Sequence, residues 1–299
     1  MAINSAVDIN GSDFLSFINK PDSLTRIIAE YYAIVPKHEE EGNSASAQNE
    51  IKCKKERGMH LTRYLNRRIK LRNDGTIRDA SFVDGYELER KYICMKSLQE
   101  DDCDKFWQAV SNYKVQIIVL MSGLSDKKCY QYWSPKEGCV IVSDKFRIKT
   151  LKISIKPHFN LTLLSLTDKF GRVQKISHYQ YTAWPRDNFS HNPDAFIDFY
   201  CNVKDMCLQL ERQTADKKIA PIIVQSLDRI GSSAVFCVFD ILCATQFDKT
   251  GTLSLISVLR KVHRQKYGFT INLNNYVLCY QLLGVYVKKI MFPLPLSNF

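Results

Sequence analysis

The chain has 299 residues, 45% hydrophobic and 24% charged, enough to bury a full core as one large domain or two small ones. No stretch approaches the roughly 20 uninterrupted apolar residues of a membrane-crossing helix. The opening MAINSAVDINGSDFLSF has no basic segment followed by an apolar run, so neither a membrane span nor a secretory signal is expected. A formal net charge of +11 keeps anionic partners in view, with Lys and Arg concentrated at Lys52–Arg57, Arg63–Arg72 and Arg260–Lys266. No RNA-binding motif or zinc-finger spacing accompanies these runs, so nucleic acid stands as an alternative and not as the expected partner.

Taken in chain order, residues 13–34 carry Phe14, Ile18, Leu24, Ile27, Ile28 and Tyr31 at helical spacing and predict one or two opening helices. The polar, small-residue stretch 39–50 reads as an exposed segment and not as a linker between domains. The apolar run VQIIVLM at 115–121 has the composition of a strand buried on both faces. From Tyr130 to Tyr181 the pattern alternates, broken by turn residues, as in a β-meander. After Pro193, the residues Phe196, Phe199, Tyr200, Val203, Met206 and Leu210 make one apolar helical stripe. A second buried strand, IAPIIV, then leads through a turn into the apolar helix SSAVFCVFDILCATQF, and a last helix runs through NNYVLCYQLLGVYVKKI. This order predicts a single α/β domain, a mixed and highly twisted sheet flanked by helices, over residues 1–299. The ten cysteines show no CxxC spacing and no Cys/His cluster, and several lie inside apolar runs such as AVFCVFDILCA. They read as reduced, buried thiols, with no disulfide framework and no zinc site expected.

The segment of greatest chemical interest is Val224-Gln225-Ser226-Leu227-Asp228-Arg229-Ile230-Gly231-Ser232-Ser233-Ala234. A buried strand turning tightly into a helix start aims loop N–H groups and the positive helix end at one point, which suits an anion. The surrounding PIIVQSLDRIGSSAVFCVFD resembles the signature region of the classical protein tyrosine phosphatases, where a His-Cys is followed by five residues, an Arg and a Ser or Thr. In order and spacing, NRR at 66–68, ASFVDGY at 80–86, FWQAV, IIVLM, CYQYW at 129–133, HYQYTAWPRD at 178–187 and YVLCYQLL at 276–283 resemble further family motifs. The likeness covers roughly residues 12–290.

The resemblance also implies what each position should do. The family nucleophile is a thiolate activated by loop amides and the helix end; its place is held by Ser226, and the preceding His by Gln225. The Arg that forks onto the phosphoryl oxygens is replaced by Ser232. Asp228 and Arg229 stand where the family keeps small residues, while Ile230 and Gly231 are of the family type. A carboxylate at about 4 Å from a phosphate costs roughly 4 kcal/mol at an effective dielectric of ~20. The general acid of the Trp-Pro-Asp loop falls at Arg186, with Asp187 one residue out of place. The tyrosine walling the phosphotyrosine pocket is Arg68, the acid two residues on is Lys70, and the water-orienting Gln is Ile271.

The resemblance therefore implies a pseudophosphatase with no catalytic residues, no cofactor and no metal. Arg68, Lys70, Arg186, Asp228, Arg229 and Gly231 are candidates for lining a residual anion cleft. The expected action is binding an unidentified host protein, such as a phosphoprotein, with no membrane involvement. A repurposed phosphatase using Asp228 or Asp187 differently stays open as the enzymatic alternative. The compact form with short flanks is also similar to the phosphatase-like proteins of bracoviruses carried by parasitoid wasps, which implies work in the host-cell cytoplasm against host signalling or immunity.

Overall fold

The computed structural model describes residues 8–34, 67–71, 76–121, 130–184, 192–214, 220–226, 231–263, 265 and 271–293. The stretch 39–50 lies outside the described residues.

Three apolar runs with few polar interruptions form the centre of the sheet. They are β4 (Tyr92–Lys96), β5 (Ile117–Met121) and β10 (Ile222–Ser226). All five residues of β5 and of β10 are buried. Because side chains alternate along a strand, each run feeds two cores. Tyr92, Cys94, Val119, Ile222 and Val224 enter one, while Ile93, Ile118, Leu120 and Ile223 enter the other. Strand β10 lies between β4 and β5, parallel to both, and β5 is parallel to β9 (Val173–Tyr181).

Antiparallel strands extend this centre on both sides. On one side are β3 (Thr76–Val83) and β2 (Arg68–Lys70). On the other, β9 continues into β8 (Phe159–Asp168), β7 (Phe146–Ile155) and β6 (Val140–Val142), the meander that the alternation predicts. The sheet order is β2-β3-β4-β10-β5-β9-β8-β7-β6, and a separate pair joins β1 (Ile9–Asn10) to β11 (Thr252–Leu253).

The helices begin where the sequence supplies caps. In α1 (Gly11–Ile18) the Asn10 side chain accepts from Asp13 N at 2.9 Å. In α4 (Pro193–Gln213) Asn192 accepts from Ala195 N at 3.1 Å, with Pro193 in the first turn where its missing N–H costs nothing. In α7 (Leu273–Met291) Asn272 accepts from Asn275 N at 2.8 Å. With α2 (Ser23–Ile34) and α6 (Leu255–His263), these helices supply the larger core on one face of the sheet. Helix α3 (Cys103–Asn112) sends Phe106, Trp107 and Val110 into the smaller core on the other face. The apolar stretch after position 231 splits into α5 (Ser232–Asp240) and a wider π-helical segment, Ile241–Phe247. Gly251, at φ 67°, ends the run with its N–H on the Phe247 carbonyl at 2.8 Å. No helix among the described residues is long and apolar enough to cross a membrane.

Helix α5 is apolar except at its ends, and its last residue, Asp240, is buried. An isolated carboxylate there would be costly. Three donors meet it instead: Lys91 Nζ at 2.6 Å and the Tyr92 hydroxyl on Oδ2, and the Tyr200 hydroxyl on Oδ1 at 2.9 Å. Burial alone would raise the Asp240 pKa, but the Lys91 charge and these hydrogen bonds outweigh it and hold the carboxyl below its ordinary value. For Lys91, burial pulls the ammonium down, and the Asp240 charge more than restores it.

Asp240→Asn leaves Lys91 buried without its counter-charge and should cost about 3–5 kcal/mol in urea unfolding. The wild-type contribution of this carboxylate is present above the ordinary carboxyl value of 3.8 and is lost as pH falls through its lower folded value. Stability of the Asn variant should therefore fall less steeply in that acid range, which denaturation at a series of pH values measures.

Candidate functional site

Strand β10 ends at Ser226 because its ladder partners end there too: Ser226 lies opposite Lys96 of β4 and Met121 of β5. The Ser226 carbonyl accepts from Ser97 N at 2.7 Å, which ties the end of β10 to the segment after β4. Gly231 then starts α5 with φ 129° and ψ −87°, a backbone that a side chain would strain. The Gly231 carbonyl takes the Val235 N–H at 2.8 Å and opens the helix ladder. Ser226 Oγ lies 3.1 Å from Ser233 Oγ, one hydroxyl donating to the other. Ser232 Oγ donates to the Met121 carbonyl at 3.4 Å, so its hydroxyl is turned to the end of β5. Ser226, Ser232 and Ser233 are all buried. The intervening Asp228, Arg229 and Ile230 lie outside the described residues, as do Arg186 and Asp187.

Behind Ser226, Gln225 points into the smaller core with no exposed surface. Its Oε1 accepts from the Tyr132 hydroxyl, and the same hydroxyl oxygen lies 2.9 Å from His178 Nε2. Since the hydroxyl proton goes to Gln225, the Nε2–H of a neutral His178 is the donor in the second bond. The ring is packed against Trp133 with centroids 4.2 Å apart. Complete burial lowers the His178 pKa from 6.5 to about 3, which keeps the imidazole uncharged. Gln225 Nε2 has no partner among the described residues. Position 225 thus belongs to a neutral hydrogen-bond chain through the core, which carries no charge toward the Ser226 hydroxyl.

On the far side of β4, Arg67 forks onto Asp84 with both bonds at 2.9 Å. Gln265 Oε1 accepts from Asp84 N at 2.7 Å, and Asp84 Oδ1 accepts from Arg90 N at 2.8 Å. Partial burial would raise the Asp84 pKa, but the Arg67 fork, the Arg90 N–H and nearby positive charge hold it below the usual carboxylate value. This clamp fixes the segment that carries Arg68 and Lys70. Arg68 is half-buried opposite Ser81, and its Nε has no partner among the described residues. Lys70 is exposed, and its carbonyl accepts from the Tyr113 hydroxyl at 2.9 Å. In the sheet order, β2 is three strand steps from β10, or about 14 Å between strand axes. No hydrogen bond between described residues joins Arg68 or Lys70 to Ser226, whose Oγ pairs with Ser233.

Ile271 is only 6% exposed and belongs to the larger apolar core, just before the Asn272 cap of α7. Three participants escaped the sequence reading: Ser233 as the partner of Ser226, the Tyr132–His178 relay behind Gln225, and the Asp84–Gln265 end of the Arg67 clamp. Tyr132 and His178 lie inside the motifs CYQYW and HYQYTAW, but nothing in their spacing announces that they touch. The eight cysteines among the described residues are thiols not joined in disulfides, and Cys94, Cys237, Cys243 and Cys279 are buried, with Cys94 Sγ 3.4 Å from Cys237 Sγ. Cys53 and Cys129 lie outside the described residues.

Tyr132→Phe leaves the acceptor on Gln225 and the His178 N–H buried and unpaired, and should cost about 1–3 kcal/mol for each group left unsatisfied. The buried neutral His178 makes stability present above 6.5 and lost as pH falls toward about 3, because the unfolded chain takes up the proton first. Urea unfolding between about pH 6.5 and pH 5, above most carboxyl titrations, should show this slope, and His178→Gln should flatten it.

Residues 52–284 match the family described as Protein-tyrosine phosphatase. Over 278 residues, 92% of this chain and 93% of the relative, the sequence is 40% identical to "Probable tyrosine phosphatase protein J2" of Microplitis demolitor bracovirus (isolate Webb). It is 41% identical over 207 residues, 69% of this chain and 82% of the relative, to "Tyrosine phosphatase-like protein J3" of the same virus. A human relative, "Tyrosine-protein phosphatase non-receptor type 9", is 26% identical over 81% of this chain and 40% of its own length. With the end of β10 at Ser226 and the start of α5 at Ser232 inside the matched region, the chain belongs to the protein-tyrosine phosphatase family.

Proposed function

We propose that this chain is a pseudophosphatase: it keeps the phosphatase scaffold, does not turn over phosphotyrosine, and acts by binding a partner protein. The observation that carries this reading is the pair of hydroxyls at the two positions that matter most. Ser226 stands at the nucleophile position with its Oγ on Ser233, and Ser232 stands at the guanidinium position with its Oγ on the Met121 carbonyl. A serine hydroxyl stays protonated near neutral pH, and the uncharged chain through Gln225 and His178 offers it no base. A single lost transition-state donor costs about 100- to 1,000-fold in rate, and here a charged fork is replaced. Ile271, buried in the core, supports the same reading at the water-orienting position. The similarity to bracovirus proteins supports action in the cytoplasm of an infected host cell, against its signalling or immune response.

Turnover of para-nitrophenyl phosphate and of a phosphotyrosyl peptide should be indistinguishable from the blank. Ser226→Cys alone should not restore it, because position 232 still lacks a guanidinium. Wild-type turnover that disappears in Ser226→Ala would sink the proposal.

Partner capture from insect haemocyte extract should recover the same proteins with the wild-type chain and with an Arg186→Ala/Arg229→Ala variant if the contact lies outside the old cleft. Loss of every partner in that variant would assign the contact to the cleft instead.

A further inference from the structure

Among the described residues, the outer meander leaves one sheet face uncovered. Phe146, Ile148, Leu164, Leu166 and Ile176 pack into the smaller core on one side. On the other side, α4 covers only the far half of β9, where Phe199 meets Tyr179 and Tyr181 and the Tyr179 hydroxyl donates to the Asn202 carbonyl at 3.2 Å. Toward the start of β9 the helix layer gives out. Residues opposite one another on neighbouring strands share a face, so the register sets out what is displayed there. One row runs Val142–Arg147–Thr167–Val173, and the next runs Val140–Lys149–Ser165–Lys175. Past the irregularity after Thr150, Lys152 lies opposite Leu163 on the same face.

The chemistry of this face is one-sided. Arg147, Lys149, Lys152 and Lys175 are exposed, and none makes an ion pair among the described residues. No carboxylate occupies any of these register positions. Beside the cations, Val142 and Val173 stand 69% and 64% exposed. Four like charges that form no ion pair are unfavourable together on a folded surface, and a polyanion covering them relieves that repulsion. The aliphatic column on β6 narrows the class of polyanion. A nucleic-acid surface is built from phosphate-binding groups with stacking or base-reading side chains, and no aromatic side chain stands in these rows.

We propose that this face of β6–β9 is a docking surface for an acidic segment of a partner protein, one that sets carboxylates beside aliphatic side chains. Ser226, Met121 and Tyr181 are level with one another in the register, and Val173 lies eight residues back along β9, about 26 Å away. The surface is therefore separate from the Ser226 site and stands whether or not that site is inert.

The test uses the whole chain and a fluorescein-labelled peptide of about twelve residues alternating Glu and Val, with a Glu/Ser peptide of equal charge for comparison, read by anisotropy near 150 mM salt. The Glu/Val peptide should bind more tightly than Glu/Ser. Arg147→Glu/Lys149→Glu should weaken it by about tenfold or more, and Val142→Ser should narrow the gap between the two peptides. Lys20→Glu/Lys288→Glu, the same change in net charge at exposed positions elsewhere, should leave binding within about twofold. Thermal melting establishes that each variant is folded, and Arg147→Gln/Lys149→Gln, with a smaller expected loss, replaces the reversal if it melts early. Equal loss in both charge-reversal pairs, or no binding of either peptide, overturns the proposal. Tighter binding of a single-stranded RNA or of phosphatidylserine vesicles through Arg147 and Lys149 also overturns it, by assigning the face to a different polyanion.

Discussion

The structure depends most on what surrounds the Asp240 carboxylate. Helix α5 is buried along its whole length, so it could slide or rotate in an apolar bed at modest cost if packing alone held it. A buried carboxylate that must find Lys91, Tyr92 and Tyr200 together removes that freedom. These donors come from the start of β4 and from α4, so one group fixes the helix against the sheet and against its neighbour. A buried ion pair of this kind adds little net stability over a well-packed apolar substitute, and its value lies in specifying one arrangement. That arrangement reaches the site, because Ser232 and Ser233 occupy the first turn of the same helix, about 12 Å from Asp240 along its axis.

The sheet was legible in the sequence wherever burial was extreme or alternation was long. β5 and β10 are short apolar runs with nothing to compete with a buried strand, and the meander alternates for most of its length. The short elements were not legible. β2 is three residues with two cations, and β1 and β11 are two residues each, so their pairing is imposed by the elements around them and not by local preference. The change from α- to π-helical turns after Asp240 was equally silent, since both windings place apolar side chains densely enough to look continuous. An aspartate inside FCVFD does announce a buried charge in need of partners, but Lys91 is 149 positions away and only the fold brings it near.

For the site, residue types were easier to read than contacts. That Ser226 and Ser232 stand in a strand–turn–helix followed from the strand, the glycine and the helical pattern. What those hydroxyls touch did not follow, because a serine bonds equally well to a side chain or to a carbonyl. Ile271 could be read as a residue unable to orient water, while its place in the larger core depends on how α7 docks. The cationic rows of the meander were legible only as scattered lysines, since it takes strand register to put Arg147 beside Val142 and Lys149 beside Val140.

The hydroxyl pair of Ser226 and Ser233 also bears on what a charged substitute there would cost. A binding site built for a dianion is strained when empty, because it gathers donors and positive potential whose counterpart arrives only with the ligand. The described foot of this loop is closed with neutral groups that answer one another: serine to serine, serine to the Met121 carbonyl, tyrosine to Gln225. No charged group takes part in these contacts. A thiolate placed at 226 or a guanidinium placed at 232 would have to displace these contacts before it met an anion.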